Sequence, residues 1–200
     1  MKVGLIFECG PAGADKVVCE LLARRLKPSI QIASVTLDNK PKLLADCGQA
    51  AARLLQDGCE RVVIVWDLYP PWRSGGAKPC RRTDHQAIAK SLTQAGVKHK
   101  LVYLVCINEE LEAWLLADGR ALSKVLSRPA HPVKVGDTKK PDQTVKPKTK
   151  LMKIFQQQSG KPYSDRVHAR LIVEALPDLA RIKRCASFVR FAVKATGVTP

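Results

Sequence analysis

The stretch RVVIVWD, Arg61 to Asp67, decides how this chain folds. Val62 to Trp66 are apolar without interruption, so no polar face alternates with a buried one. Central strands of parallel sheets, covered on both faces, read this way. The run then ends abruptly in a carboxylate, Asp67.

Working outward, Gly58 ends a run from Pro41 to Gln56 that reads as a helix, with Pro41 suited to its first turn. Ser29 to Leu37 reads as another strand. At the N-terminus, Lys2 to Phe7 (KVGLIF) is a short branched apolar run bounded by the turn-forming cluster Cys9 to Gly13. Ala14 to Leu26 follows, with Val17, Val18, Leu21, Leu22 and Leu26 at helical spacing. Downstream of Asp67 lies a loop to Arg82 holding Pro70, Pro71, Gly75, Gly76 and Pro79, then a helix expected to be capped by Thr83 and to run to about Ala95. Lys100 to Ile107 (KLVYLVCI) is a fourth strand, and Glu109 to Leu126 a helix with a break near Asp118-Gly119. The alternation predicts an α/β domain over residues 1–127, with a mainly parallel four-stranded central sheet, right-handed crossovers and flanking helices.

The pattern changes after Ser127. Residues 128–147 hold four prolines and many lysines with no apolar period, which predicts a basic, extended or mobile loop. Lys148 to Gln158, Ser164 to Leu176 and Asp178 to Ala195 then read as helices. They form a C-terminal helical extension, 148–200, expected to pack on the same domain.

The 200-residue chain carries a net charge of +16. A balance this basic points to a polyanionic partner, and nucleic acid is the obvious one. Solubility, or an acidic partner protein, is the plainer alternative. The charge is concentrated in Lys134 to Lys153 and again between Arg181 and Lys194. Seven cysteines without a CxxC pair fit buried reduced thiols better than zinc or disulfides. No apolar run approaches the ~20 residues of a membrane span, and the N-terminus does not read as a signal peptide. The expectation is a cytoplasmic protein with no membrane association.

In open parallel sheets, ligands bind beyond the carboxyl ends of the strands. Glu8 follows the first strand, Asp67 ends the third, and Glu109, Glu110 and Glu112 follow the fourth. Anions gathered at one edge repel one another unless a cation sits among them. Oxygen ligands of this kind suit Mg²⁺, or Mn²⁺ in its place. Glu8 and Asp67 each end an uncharged run, although Asp67 alone would also serve as a turn cap. Glu109 and Glu110, read as a first helical turn, would be favoured there by the macrodipole alone. Glu112 sits among Leu111, Ala113, Leu115 and Leu116, where a carboxylate is harder to explain by exposure.

Three segments carry a family resemblance. ECGPAGADK, Glu8 to Lys16, resembles the opening of Toprim (topoisomerase–primase) domains, with Glu8, Gly10 and Asp15 at the matching positions. VVIVWDLY, Val62 to Tyr69, resembles the Toprim Asp-x-Asp strand end. NEELEAWLLAD, Asn108 to Asp118, is similar to a segment of small Toprim-like proteins of uncharacterised function, related to the Toprim part of overcoming-lysogenization-defect nucleases. Pro147-Lys148 with Leu151, and Cys185, Ser187, Phe188 and Phe191, extend the likeness over most of the chain. The resemblance implies a Toprim-like fold, Mg²⁺-dependent phosphodiester chemistry with Glu8, Asp67 and Glu112 as catalytic ligands and Asp15 as a further ligand, and service in phage defence beside an ATPase. It departs at Tyr69, which stands where the second aspartate of the pair belongs and deprives a second metal of its carboxylate. Asp84 is the candidate to compensate.

Arg81, Arg82, Lys148 and Lys150 are candidate phosphate contacts, and Trp72, between prolines and an arginine, a candidate base-stacking residue. Most such lysines are simply solvated. Gly10-Pro11-Ala12-Gly13 lacks the ending of a nucleotide phosphate loop. Two functions stay open: a Mg²⁺-dependent nuclease on DNA or RNA, and a non-catalytic nucleic-acid-binding or regulatory module whose acidic site has degenerated.

Overall fold

The computed structural model describes residues 1–71 and 78–200. Four strands, β1 (Lys2–Phe7), β2 (Gln31–Thr36), β3 (Arg61–Asp67) and β4 (Val102–Ile107), form one parallel sheet in the order β2-β1-β3-β4. The chain leaves β1 toward one edge, returns past it to β3, and continues to the other edge. Helices α1 (Ala14–Leu26), α2 (Lys40–Gln56) and α3 (Arg81–Gln94) make these crossovers.

Alternation along the strands sorts the core into two layers. Val3, Leu5, Phe7, Val63 and Val65 pack with α1, while Ile6, Val62, Ile64 and Trp66 pack with α2 and α3. The connections after β1 and β3 therefore leave on opposite faces, and a crevice opens between their ends. This is the switch point at which open α/β sheets bind ligands. The two helices on the second face approach closely because Gly48 has no side chain; a Cβ there would stand 2.1 Å from the Ser91 carbonyl oxygen.

The layer on the α1 face is completed from the C-terminal part of the chain. α4 (Glu112–Leu115), α5 (Gly119–Leu126), α6 (Pro147–Ser159), α7 (Arg170–Ala175) and α8 (Ala186–Thr196) add Trp114, Leu122, Phe155, Ile172, Phe188 and Phe191 to the core that holds Val105 and Ile107. Each fully buried phenylalanine contributes about 1.5–3 kcal/mol. Trp114 meets its polar need inside this layer: its Nε1–H donates to Ser187 Oγ at 2.8 Å, and Ser187 Oγ–H donates to Asp142 at 2.7 Å. Among the described residues no helix is long and apolar enough to cross a membrane.

Several local expectations are corrected. Residues 128–147 are anchored in place: the Val133 and Val135 N–H groups donate to Ser127 Oγ (2.9 Å) and Ser123 Oγ (2.8 Å), and Asp137 accepts from Gly119 N–H and from Arg181. These partners lie in and beside α5 and at Arg181, so composition alone does not reveal them. Thr83 is not the cap of α3, which begins at Arg81 after Cys80. Glu109 and Glu110 precede α4 rather than opening it, and Glu109 has φ +60°. The helix expected from Asp178 begins only at Ala186, because the Asp178 carboxylate accepts the Ala180 N–H at 2.8 Å and holds a turn. The segment from Ser164 opens as a π-helical turn, Asp165–Ala169, before α7.

Candidate active site

β1 passes into a tight turn in which Gly13 N–H donates to the Gly10 carbonyl at 2.8 Å. Only glycine fits at position 13, since a Cβ would lie 2.3 Å from that of Cys9. The turn brings Asp15, in the first turn of α1, back over the end of β1. β3 delivers Asp67, and the bend after β4 delivers Glu112 at the start of α4. Glu8, Asp15, Asp67 and Glu112 line one cavity of about 480 Å³. Strand alternation alone would send Glu8 and Asp67 to opposite faces. They meet at the sheet edge instead, where Glu8 Oε1 accepts the Asp67 N–H at 3.2 Å.

The other oxygens of this pair, Glu8 Oε2 and Asp67 Oδ1, are buried and have no hydrogen-bond partner among the described residues. A buried acceptor left unmade costs about 1–3 kcal/mol, and more when charged. The site therefore calls for protons or a cation. Its acidities agree. Burial pushes Glu8 up to about 8, with Lys40 working against the shift and Asp15 adding to it. Burial holds Asp67 well above the usual carboxylate range, and the charges of Asp15, Glu8 and Glu112 push the same way. Asp15 rises to about 6, mainly by burial and against a hydrogen bond from Cys9. Glu112, 4% exposed, rises to about 7 by burial, against the charge of Lys148.

Lys148 stands at the rim, its ammonium 2.8 Å from Asp165 and 3.9 Å from Glu112 Oε1. Burial disfavours its charge, but the hydrogen bond to Asp165 and the nearby Glu112 hold its pKa above the ordinary lysine value. Glu112 Oε1 also accepts from the Tyr163 hydroxyl at 3.4 Å. Lys148 thus serves the Glu112 end of the cluster, while the charge of Lys40 acts on Glu8.

Oxygen donors of this kind fit a hard divalent ion. Among the described residues, however, no three His, Cys, Asp or Glu side chains stand close enough together to enclose one as they lie. The carboxylates line the cavity without forming a closed ligand shell.

Of the remaining sequence candidates, Arg81 donates to Asn108 Oδ1 and Lys150 to Thr138 Oγ1 at 3.3 Å; neither they nor the exposed Arg82 line the cavity. Trp72 lies outside the described residues. Asp84, the candidate to compensate for Tyr69, does not line the cavity. It is buried on the α2–α3 face, accepting from Trp66 Nε1 at 3.0 Å and facing Lys40 at 3.4 Å. Tyr69 lines the cavity itself. Glu110 also lines it, as do Asp165 and Arg166, which were not foreseen. Glu110 sits in the acidic segment already singled out, whereas nothing in the sequence ties Asp165 to Lys148.

An all-parallel α/β sheet with carboxylates gathered over its switch point, and a lysine beside them, defines an acidic-edge α/β protein. The chain belongs to the DUF4276 family, described as a domain of unknown function, whose model matches residues 12–194. That span takes in Asp15, Asp67, Glu112 and Lys148, and begins after Glu8. No curated protein and no solved structure matches the chain.

Proposed function

We propose that the chain is a Toprim-like phosphodiesterase that depends on Mg²⁺ or Mn²⁺ and acts on nucleic acid. The observation that carries this is the pair of buried, partnerless oxygens on Glu8 and Asp67, delivered by adjacent strands into a cavity shared with Asp15 and Glu112. Glu8, Asp67 and Glu112 would hold the ion, with Asp15 beside them. When bound, the ion supplies Lewis-acid polarisation of a phosphoryl oxygen and acidifies a bound water. The protein's own groups do the rest. Lys148 places a positive charge at the rim, where a phosphate would enter. The basic surface would hold the backbone, with salt-sensitive affinity. Tyr69 in place of a second aspartate favours one metal over two.

The same substitution favours a second reading, a module that binds nucleic acid without cutting it. An ATPase partner in phage defence is an expectation of the resemblance alone. Labelled single- and double-stranded DNA and RNA, incubated with Mg²⁺ or Mn²⁺, separate the two functions. The nuclease predicts metal-dependent cleavage that disappears in Glu8→Ala and Asp67→Ala. Salt-sensitive binding with no cleavage, unchanged by EDTA and by both substitutions, would establish the module instead.

A further inference from the structure

Lys40 is 6% exposed, a burial that lysine tolerates only when its charge is matched. It opens α2 behind Asn39, whose side chain accepts the Lys42 N–H at 3.0 Å and fixes the helix start. The Lys40 ammonium has three protons. They go to three backbone carbonyls of one short segment: Asp67 at 2.6 Å, Leu68 at 2.9 Å and Pro70 at 3.1 Å. Asp84 supplies the countercharge at 3.4 Å. No proton is left for a ligand, so Lys40 does not bind substrate. What it holds is the backbone by which β3 delivers Asp67 to the cavity. The same segment is held from the opposite side, where Leu68 N–H donates to the Ile107 carbonyl (3.0 Å) and Tyr69 N–H to the Glu109 carbonyl (2.8 Å).

We propose that Lys40 is a positioning residue for the acidic site: its ammonium clamps the Asp67–Pro70 backbone and so sets where the Asp67 carboxylate stands. This rests on the metal-binding reading above, and it adds a residue from the opposite face of the sheet. A buried ion pair that served only the fold could be exchanged for neutral residues of similar shape with little consequence. A clamp could not.

The test replaces both charges, Lys40→Met with Asp84→Asn. Methionine keeps the unbranched stem, and asparagine keeps an acceptor for Trp66 Nε1. Two quantities are read: hydrogen exchange of the Leu68 and Tyr69 amides without metal, and Mn²⁺ affinity by electron paramagnetic resonance of the free ion. Exchange at those two amides is expected to quicken at least about tenfold while β1 stays protected. Mn²⁺ affinity is expected to fall about 10- to 100-fold, the usual loss when a group orienting a ligand is removed. Lys42→Met, a nearby exposed charge, should change neither. Should the double variant not fold, Lys40→Arg takes its place. It keeps the charge but offers a planar fork instead of three tetrahedral donors, and the same two losses are expected. Unchanged exchange overturns the clamp. Faster exchange with wild-type Mn²⁺ affinity overturns the positioning role. A wild-type chain that binds no Mn²⁺ overturns the metal site and the role together, and the exchange result then shows whether the clamp itself exists.

Discussion

Glu8→Gln should make the metal-free protein more stable at alkaline pH. In the folded chain burial pushes Glu8 up to about 8, against an ordinary value of 4.5. Between those values the unfolded chain has lost the proton and the folded chain still holds it. Stability contributed at Glu8 is therefore complete below pH 4.5 and is lost as pH rises to about 8, at about 1.4 kcal/mol per pH unit. The interval, 8 minus 4.5, corresponds to roughly 5 kcal/mol at most. Glutamine removes this loss, but its amide needs an acceptor in a crowded site. A net gain of about 2–4 kcal/mol at pH 8 is the reasonable expectation, which for a chain of this size raises Tm by about 5–15 °C. Thermal melts of both proteins in EDTA from pH 4.5 to 8.5 measure it, and the curves should converge at the acid end. Adding Mg²⁺ should raise the wild-type Tm and leave the variant nearly unmoved. The opposite result, a variant that melts below wild type at pH 8 in EDTA, would mean that Glu8 is ionised in the folded chain and stabilised there, with the charge of Lys40 acting on it.

Other outcomes follow from the same geometry. Glu8→Ala and Asp67→Ala should abolish metal-dependent cleavage while nucleic-acid binding stays salt-sensitive, which gel shifts and cleavage assays read side by side. Lys148→Met should lower cleavage about tenfold or more, yet change stability by under about 1 kcal/mol, because the lysine is 41% exposed; urea denaturation separates the two effects. Ser187→Ala strands the buried Trp114 Nε1–H and one side of Asp142, and should cost about 1–3 kcal/mol in the same urea experiment without touching cleavage.

The strand ends were legible because parallel strands release their loops at one edge. An acid that closes an uncharged run, as Asp67 closes VVIVW, has few bland explanations. Glu8 and Glu112 came from the same logic and lie in the same cavity. What the sequence withheld were pairings between elements. Asp84 looked like a spare ligand because its partner, Lys40, reads as an ordinary lysine before a helix-opening proline; only the packing of α2 against α3 shows both buried together. Asp165 reaches Lys148 through a π-helical turn that no residue pattern announces. Residues 128–147 looked unstructured because their apolar anchors, Val133 and Val135, are sparse, and the hydroxyls holding them belong to Ser127 and Ser123 in and beside α5. Asp178 looked helical until its carboxylate was seen closing a turn on itself.

Anomalous diffraction from a Mn²⁺-soaked crystal bears most directly on whether these carboxylates share an ion. A peak is expected at the edge of the sheet within about 2.0–2.6 Å of oxygens from Glu8 and Asp67, the bonding range of hard cations, with Glu112 drawn toward it. A fully soaked crystal with no peak in that cavity, or with manganese bound only elsewhere, would contradict a shared ion.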